Sequence, residues 1–384
     1  MIRYSEQTIE EDDIKKVKDV LKSKFLTSGP ISNQFEKIIC KKIGSKFATS
    51  FNSATSALHI ACLSLGLSSN DYLWTSVNSF VASSNCGLYC GAKIDFIDIN
   101  KNDYNLDIDK LEEKLKYAKK KQKLPKIIVP VCFGGKSCDM KKLDYLSKKY
   151  GFFIVEDASH AFGAKYKNKH VGCGKYSTIT IFSFHPVKIL TTCEGGVATT
   201  NQKKLHEKMS ILKSHGIARK NFLNKNLNAY KDLYYEQQYL GYNYRLNEIE
   251  SALGISQVKK TFKFIKARRE IAKRYIKGLN KKFLNFQKEE KDIKSSYHLF
   301  VIWLKNKNRN NLIKYLKKNK IMTNIHYIPI VNHPYYKNKG FKEKDFPIAQ
   351  DYFKNALSIP IFPNLSKIKQ DLIIKKINSF LKIK

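Results

Sequence analysis

Short apolar runs alternate with amphipathic segments along the first 250 residues. Each run is four to eight residues long and rich in β-branched or aromatic residues, which is typical of strands buried on both faces. The runs lie at 47–51, 126–131, 152–155 and 177–184. Between the first two, apolar residues from Leu58 to Leu65 recur at helical spacing and predict a helix at 55–65. Such alternation predicts an α/β fold with a mostly parallel central sheet.

A pair of helices is predicted before the first strand. Thr8 and Glu11 have the spacing of a capping box, in which two side chains satisfy backbone N–H groups at a helix start. Apolar residues then recur at helical spacing from Ile14 to Leu21, and a second helical stretch is predicted at 35–43.

The regular alternation of predicted strands and helices ends at about Gly254. A long helix rich in Lys and Arg is predicted at 258–279. The later elements are predicted strands at 299–304 and 324–330, a helix at 310–318, and a closing helix with apolar Ile368, Leu372, Ile373, Ile377 and Phe380. We therefore expect an N-terminal arm and large α/β domain at residues 1–254, followed by a smaller α+β domain at 255–384.

Composition favours a folded protein of the cytoplasm. The 384 residues are 42% hydrophobic, and no apolar run is long enough for a membrane span. The start of the chain is polar and acidic, unlike a signal peptide. The eight cysteines include no CxxC pair, so we expect neither a metal site nor a disulfide framework, and a reducing compartment.

The formal net charge of +38 raises the possibility of a nucleic-acid partner. A stretch that begins at Asn221 interleaves Lys with aromatic residues, as base-stacking surfaces do. Lys is nevertheless spread along the whole chain, so we interpret the charge mainly as composition, with some attraction for anionic substrates. A loop that closes over a site, ending at 241–248, is the preferred structural interpretation. We expect no nucleic-acid partner and no membrane partner.

Three further segments could carry chemistry. Ser53, Ala54 and Thr55 lie between a predicted strand and a predicted helix, where small residues let backbone N–H groups bind an anion such as phosphate. A plain helix cap is the alternative.

The second segment contains an acidic residue. Asp157 ends a predicted buried strand, at the edge where α/β proteins bind ligands. It could pair with a cationic ring nitrogen, or it could cap a helix beside a core histidine, His160.

The third segment contains a single lysine in unusual surroundings. Lys188 follows Pro186 among apolar and hydroxyl residues, whereas most lysines of this chain lie in charged runs. A partly desolvated lysine has a lowered pKa and forms an imine with an aldehyde. The alternative is a loop lysine that extends its charged end to the surface.

These segments in combination fit the needs of pyridoxal phosphate. The anion site would hold the phosphate, Asp157 would keep the pyridine nitrogen protonated, and Lys188 would form a Schiff base with the aldehyde. The combination is more specific than any of its parts.

The sequence resembles the DegT/DnrJ/StrS family of sugar-nucleotide aminotransferases over nearly its whole length. Residues 156–164, EDASHAFGA, and residues 182–196, FSFHPVKILTTCEGG, carry the most specific part of this resemblance. It implies a fold type I pyridoxal-phosphate transferase that works as a homodimer with shared active sites. Cys193 before Glu194 departs from the family pattern, but the change is small and leaves the cofactor roles intact.

The resemblance also implies roles for individual residues. Lys188 would serve as both Schiff-base lysine and proton shuttle, Asp157 as partner of the ring nitrogen, and His160 as a neighbour of the ring. Phe80 would stack on the ring, Ala54, Thr55 and Ser183 would lie at the phosphate, and Asn243 would reach the phosphate of the neighbouring subunit. Tyr4, Lys24, Phe25, Leu26, Thr27, Asn324, Ile325, His326 and Tyr327 would line the nucleotide-sugar pocket, with Ala54, Ser183 and Asn243 at its inner end.

Within the family, segments such as Arg3–Glu6 are most similar to the branch that serves pseudaminic acid synthesis. The implied reaction moves the amino group of L-glutamate to C4 of a UDP-4-keto-6-deoxy-N-acetylhexosamine. Another NDP-4-keto or 3-keto sugar is the nearest competing substrate. Two different classes of protein also stay open, a nucleic-acid-binding protein and a non-catalytic regulator. The intact Lys188 and Asp157 argue against the regulator.

Overall fold

The computed structural model describes residues 1–219, 222–223, 233–305 and 308–382. The helices are α1 (Glu11–Leu21), α2 (Pro30–Ile43), α3 (Ala54–Ser64), α4 (Ala82–Tyr89), α5 (Ile108–Lys120), α6 (Met140–Tyr150), α7 (Lys203–Leu212), α8 (Glu248–Lys259), α9 (Thr261–Gly278), α10 (Arg309–Lys318), α11 (Pro334–Lys337), α12 (Pro347–Asn355) and α13 (Lys367–Lys382). The strands are β1 (Phe47–Phe51), β2 (Tyr72–Ser76), β3 (Lys93–Ile97), β4 (Ile127–Val129), β5 (Phe153–Asp157), β6 (Lys165–Tyr166), β7 (Lys169–His170), β8 (Ile179–Ser183), β9 (Gly196–Thr200), β10 (Ile217–Ala218), β11 (Glu236–Gln237), β12 (Leu284–Phe286), β13 (Ile293–Lys294), β14 (Phe300–Leu304) and β15 (Ala356–Ile359). No helix among the described residues combines the length and apolar character that crossing a membrane requires.

A seven-stranded sheet forms the centre of the molecule, in the order β1-β9-β8-β5-β4-β2-β3. Strands β2, β3, β4, β5 and β8 pair in parallel, and β9 is antiparallel to both of its neighbours. The prediction of an α/β fold with a mostly parallel sheet is therefore confirmed. All four predicted strands of this region are present as β1, β4, β5 and β8.

Both faces of the sheet are covered, as the apolar runs predicted. Ile127 and Val129 pack into one core with α3 and α7, while Ile128 between them packs into another with α5 and α6. Successive side chains of a strand point to opposite faces, so a strand between two helical layers is apolar at every position. This explains why these runs do not alternate with polar residues.

The C-terminal part is a smaller α+β unit built on the antiparallel sheet β12-β14-β15. Phe300, Ile302 and Leu304 pack against α9, α10 and α13, whereas Val301 and Trp303 face the core that contains Phe133. The start of the chain joins this unit, since Ile2 exchanges backbone hydrogen bonds with Lys320 and Met322. The expected boundary between residues 254 and 255 lies within α8.

Two predictions at helix ends were wrong. The capping box at Thr8 and Glu11 is replaced by one in which the Glu10 backbone N–H donates to Asp13 Oδ2 at 2.9 Å. Asp13 is drawn inward because the buried Lys260 ammonium lies 2.7 Å from its carboxylate. The helix predicted at 258–279 is present as α9, but it begins three residues later, because α8 ends at Lys259 and Lys260 separates the two helices. At this junction the Thr261 hydroxyl donates to the Val258 carbonyl at 2.6 Å.

The strand predicted at 324–330 was also wrong. Only Asn324 pairs with a strand residue, Ser358 of β15. The chain then leaves the sheet, and the Tyr327 backbone N–H donates to the Asn78 side chain at 3.1 Å. Ile330, the buried isoleucine of this run, packs into the core that contains Phe133 and belongs to no strand.

Candidate functional site

A cavity of about 400 Å³ opens at the carboxyl ends of β5 and β8. It forms there because parallel strands end at the same edge of a sheet, and ligand sites of open α/β sheets lie at that edge. The predicted site residues that line it are Tyr4, Ser53, Ala54, Thr55, Phe80, Asp157, His160, Ser183, Lys188, His326 and Tyr327. The structure thus assembles eleven residues that are spread over more than 300 positions of the sequence.

Asp157 ends β5 and is buried at the floor of the cavity. Its Oδ2 accepts a hydrogen bond from the Ser83 hydroxyl at 2.6 Å, and its Oδ1 accepts one from the Ser159 backbone N–H at 3.1 Å. The carboxylate is therefore oriented as well as available for a cationic partner.

The start of α3 forms an anion site on one wall. Ser53 caps the helix by accepting the Ser56 backbone N–H at 3.1 Å, so the helix-cap interpretation holds as well. The first N–H groups of a helix have no partner within it, and those at Ala54 and Thr55 border the cavity. Gly196 passes so close that a Cβ there would lie 2.5 Å from the Ala54 nitrogen. Only glycine allows this approach.

Lys188 lies in the connection from β8 to β9, beside the cavity. The connection is compact, since the Thr192 N–H donates to the Phe184 carbonyl and the Lys188 N–H to the His185 carbonyl, both at 2.9 Å. Burial lowers the pKa of the Lys188 ammonium to about 8, although the nearby Asp157 carboxylate opposes this shift. A substantial neutral fraction near pH 8 makes this amine a nucleophile and a base.

His160 is buried and held in one orientation at the cavity wall. The Gly134 N–H donates to its Nδ1 at 3.3 Å, and its Nε2 lies 3.0 Å from the Tyr327 hydroxyl. Because Nδ1 accepts, the proton of the neutral ring is on Nε2. Burial lowers the pKa of His160 well below its usual value, and the Lys188 charge adds to the effect.

Aromatic and imidazole rings surround the opening of the cavity. The Tyr4 and His326 rings are 5.7 Å apart, and the Phe80 and Tyr327 rings are 6.1 Å apart. The His326 Nδ1 lies 2.8 Å from the Ser358 hydroxyl, and burial lowers the pKa of this ring to about 3. Phe80 is 59% exposed, so its ring face is free to receive a planar group.

Seven predicted site residues do not line the cavity of their own chain. Four of them follow α1 and are exposed: Lys24, Phe25, Leu26 and Thr27. Asn243, before α8, is also exposed. Asn324 and Ile325 are half-buried and come directly before His326 in the chain. The Glu248 N–H donates to the Leu26 carbonyl at 3.0 Å, so the first segment runs beside the one that contains Asn243. Of the stretch that begins at Asn221, residues 221 and 224–232 lie outside the described part of the chain.

Several residues of the site were not predicted. Ser83 orients Asp157, Gly134 orients His160, and His298 packs its ring 4.4 Å from that of His160. His185 and Glu194 border the cavity on either side of Lys188. Of these, only the Gly134-Gly135 pair carried a signal, since two adjacent glycines indicate a turn that other residues cannot make.

The residues present fit pyridoxal phosphate. The glycine-lined approach to the first turn of α3 leaves room for phosphate oxygens against backbone N–H groups, a setting suited to anions. Asp157 supplies a negative charge for a protonated ring nitrogen, and Lys188 an amine for the aldehyde. Each of the three chemical demands of the cofactor has a group of the matching kind on the same cavity.

Comparison with known proteins agrees with this geometry. Residues 7–378 match the DegT/DnrJ/EryC1/StrS aminotransferase family. A UDP-4-amino-4,6-dideoxy-N-acetyl-beta-L-altrosamine transaminase of Campylobacter jejuni is 40% identical over 364 residues, covering 94% of this chain and 92% of that protein.

Solved structures give the same result. Helicobacter pylori PseC, an aminotransferase of pseudaminic acid biosynthesis, has a TM-score of 0.88 and 34% identity, with 98% of each chain covered. The PLP form of a putative sugar aminotransferase from Streptococcus pneumoniae has a TM-score of 0.88 and 27% identity, also with 98% of each chain covered. The predicted fold type I, cofactor and enzyme class are therefore confirmed. This chain is a pyridoxal-phosphate-dependent sugar aminotransferase and belongs to the DegT/DnrJ/EryC1/StrS family.

Proposed function

We propose that the enzyme moves the amino group of L-glutamate to C4 of a UDP-4-keto-6-deoxy-N-acetylhexosamine. The product would be UDP-4-amino-4,6-dideoxy-N-acetyl-β-L-altrosamine, a precursor for pseudaminic acid. The observation that carries this proposal is the 40% identity, over nearly the full length of both chains, to a transaminase named for that product. The eight cysteines, all unpaired, fit a reducing cytoplasm as its setting.

The chain would hold the cofactor with groups already described. The first turn of α3, with Ser53, Ala54 and Thr55, would bind the phosphate, and Asp157 would bind the ring nitrogen. When bound, pyridoxal phosphate supplies an aldehyde that takes up the amino group and a ring that withdraws electrons from the reacting carbon. Ser183 pairs with Gly196 and lines the same cavity, so its hydroxyl would add a donor to the phosphate.

Lys188 is the group that moves protons in both halves of the reaction. Its Nζ would take the proton from Cα of glutamate and, after 2-oxoglutarate has left, deliver a proton to C4 of the sugar. A base works best when its pKa lies near the working pH, and burial lowers the pKa of Lys188 to about 8. One lysine therefore serves glutamate and sugar in turn.

The sugar nucleotide would enter between the rings of Tyr4, Phe80 and His326. The His326 ring is neutral, because burial lowers its pKa to about 3, and it can exchange hydrogen bonds without repelling the amine of Lys188. Lys188 and the basic surface supply the attraction for an anionic diphosphate. Closure of these rings over the substrate would exclude water from the reacting carbon.

We also propose that the enzyme is a homodimer in which each subunit completes the site of its partner. Asn243 is exposed and does not line the cavity of its own chain, and the Glu248–Leu26 hydrogen bond holds Lys24–Thr27 near it. Both segments would therefore enter the partner's site together, with Asn243 at the phosphate and Lys24–Thr27 at the nucleotide sugar.

The experiment that tests the substrate uses purified enzyme, L-glutamate and UDP-4-keto-6-deoxy-N-acetylhexosamines of defined configuration. We expect one amino sugar product, whose proton couplings in the NMR spectrum give the β-L-altro configuration, and equimolar 2-oxoglutarate. The Lys188→Ala variant is the negative control. Turnover of a different NDP-4-keto or 3-keto sugar, with none of this one, would contradict the proposal and leave the aminotransferase assignment intact.

A further inference from the structure

Arg268 is a fully buried charge behind the active site. It lies in the middle of α9 and is 1% exposed. Its Nη1 donates to the backbone carbonyls of Tyr297, His298 and Ile361 at 3.3, 3.1 and 3.0 Å. No carboxylate of the described residues forms an ion pair with it, and burial lowers its pKa only to about 10, so it stays charged.

Burying a charge without an opposite charge destabilises a protein. We therefore examine which groups Arg268 orients. Two of its three acceptors belong to the segment 295–299, which leads into β14. Tyr297 has φ of +48°, a conformation that is unfavourable for a bulky side chain. The Nη1 group of Arg268 therefore holds a short segment in a shape that it would not adopt unaided.

This segment is fitted against the Gly134-Gly135 turn of the large sheet. The Ser296 N–H donates to the Gly135 carbonyl at 3.0 Å, and the Leu299 N–H to the Gly134 carbonyl at 3.2 Å. A Cβ on Gly135 would lie 2.5 Å from the Ser296 hydroxyl and 2.9 Å from the Tyr297 nitrogen. The contact thus tolerates no side chain at Gly135.

The same turn and segment hold His160 from two sides. The Gly134 N–H donates to His160 Nδ1, and the Ser296 hydroxyl donates to the His160 carbonyl at 2.9 Å. The His298 ring packs 4.4 Å from the His160 ring. A continuous set of contacts therefore connects Arg268 to the ring of His160.

We propose that Arg268 is a positioning residue that, through segment 295–299 and the Gly134-Gly135 turn, keeps His160 in its neutral form with the proton on Nε2, directed at Tyr327. The groups that face His160 are Lys188 from the β8–β9 connection, and His298, His326 and Tyr327 from the C-terminal part. Without Arg268 the segment relaxes, Gly134 loses its hold on Nδ1, and the ring can rotate or take up a second proton.

The test compares Arg268→Met, Arg268→Lys and a control, Arg274→Met, on the cofactor-free protein. Arg274 lies on the same helix but pairs with Asp371 at the surface. Selective ¹⁵N labelling of histidine reports the tautomer and titration of each ring, and a His160→Gln variant identifies the His160 signals. In the wild type and the control we expect an Nε2–H ring that does not titrate between about pH 6 and 8.

For Arg268→Met we expect a mixture of tautomers and titration closer to the ordinary histidine value of about 6.5. In the loaded enzyme kcat falls by up to about 100-fold, as for a misplaced catalytic neighbour, with KM for glutamate little changed. Arg268→Lys keeps the positive charge but not the planar guanidinium group. Its His160 tautomer ratio and its kcat should therefore lie between those of the wild type and those of Arg268→Met. A folded Arg268→Met protein with an unchanged His160 spectrum and kcat overturns the proposal.

If Arg268→Met does not fold, Arg268→Lys and Ser296→Ala decide instead. Ser296→Ala removes the hydroxyl bond to the His160 carbonyl and a longer one, at 3.5 Å, to the Gly135 carbonyl, and leaves Arg268 in place. A mixture of His160 tautomers in either folded variant supports the proposal. A wild-type His160 spectrum in both overturns it.

Discussion

The Ser83 hydroxyl donates a 2.6 Å hydrogen bond to Oδ2 of Asp157, although 74 positions separate the two residues. Ser83 lies in the first turns of α4, and Asp157 ends β5. A second contact, between the hydroxyls of Ser83 and Ser79 at 2.7 Å, fixes the rotamer of the donor. The carboxylate that we propose as partner of the cofactor ring is thus oriented from a different segment of the chain.

We expect Ser83→Ala to reduce kcat by roughly tenfold, because losing one hydrogen bond to a charged group costs about 1.5 kcal/mol. Asp157→Ala should reduce kcat far more, since the cofactor's ring nitrogen then loses the carboxylate that we propose as its partner. Single-turnover kinetics with glutamate measures both. A Ser64→Ala variant, whose hydroxyl bonds only within α3 at Ala61, should match the wild type. Equal rates for Ser83→Ala and wild type would show that Asp157 needs no such support.

Gly196→Ala should weaken cofactor binding by about 1–3 kcal/mol, the usual cost of overpacking. The added Cβ would lie 2.5 Å from the Ala54 nitrogen and push the first turn of α3 away from the phosphate site. Equilibrium dialysis of pyridoxal phosphate measures the change. Gly151→Ala is the matched control: its φ of +77° makes alanine costly to stability, but nothing lies within 4 Å of the new Cβ. The Gly151→Ala variant should have a lower Tm and an unchanged affinity for pyridoxal phosphate.

The rate at which the apoenzyme captures pyridoxal phosphate should rise with pH, with its midpoint near pH 8. Only the neutral amine attacks the aldehyde, and burial lowers the pKa of Lys188 to about 8. Stopped-flow absorbance gives the rates, and borohydride trapping with mass spectrometry locates the linkage. Asp157→Asn should move the midpoint to lower pH, because the Asp157 charge raises the pKa of Lys188. A midpoint near the ordinary lysine value of about 10.4 would contradict the assignment.

Mixing two weakly active variants tests the shared site. A dimer of one Lys188→Ala and one Asn243→Ala subunit has both defects in one site and none in the other, so subunit exchange should restore roughly a quarter of wild-type activity. The matched control mixes Lys188→Ala with Asp157→Ala, both on the same cavity, and should restore none. Activity of the first mixture that equals the mean of its parents would refute the shared site.

Removing the hydroxyl of Tyr327 should impair His160 without unfolding the protein. Tyr327→Phe keeps the ring contacts with Phe80 and Phe133 but removes the oxygen 3.0 Å from His160 Nε2. A buried N–H without an acceptor costs about 1–3 kcal/mol, so we expect a lower Tm and a several-fold lower kcat. Thermal melts and steady-state kinetics report the two effects. Tyr335→Phe, an exposed tyrosine, serves as the control.

The sequence by itself determined the α/β class and predicted three groups suited to the cofactor, which the fold brings to one cavity. Each rests on a local pattern: buried strands apolar at every position, an acid at the end of β5 in Asp157, and a lone lysine among apolar neighbours in Lys188. Ser53 was recognised for the same reason, because a hydroxyl before a helix has a short-range use. Such patterns can be read from the sequence because they depend on interactions between neighbouring residues, the local backbone and solvent.

Only the tertiary structure decided how these groups are held. Ser83 reaches Asp157, Gly196 approaches Ala54, and segment 295–299 packs on the Gly134-Gly135 turn because the order of the strands brings distant segments to one edge. The same long-range contacts overturned local predictions, as when Lys260 drew Asp13 inward and shifted the start of α1. Hydrophobic periodicity contains no information on strand order or on which loop meets which. The sequence therefore predicted the reacting lysine, and only the fold could show what orients the groups around it.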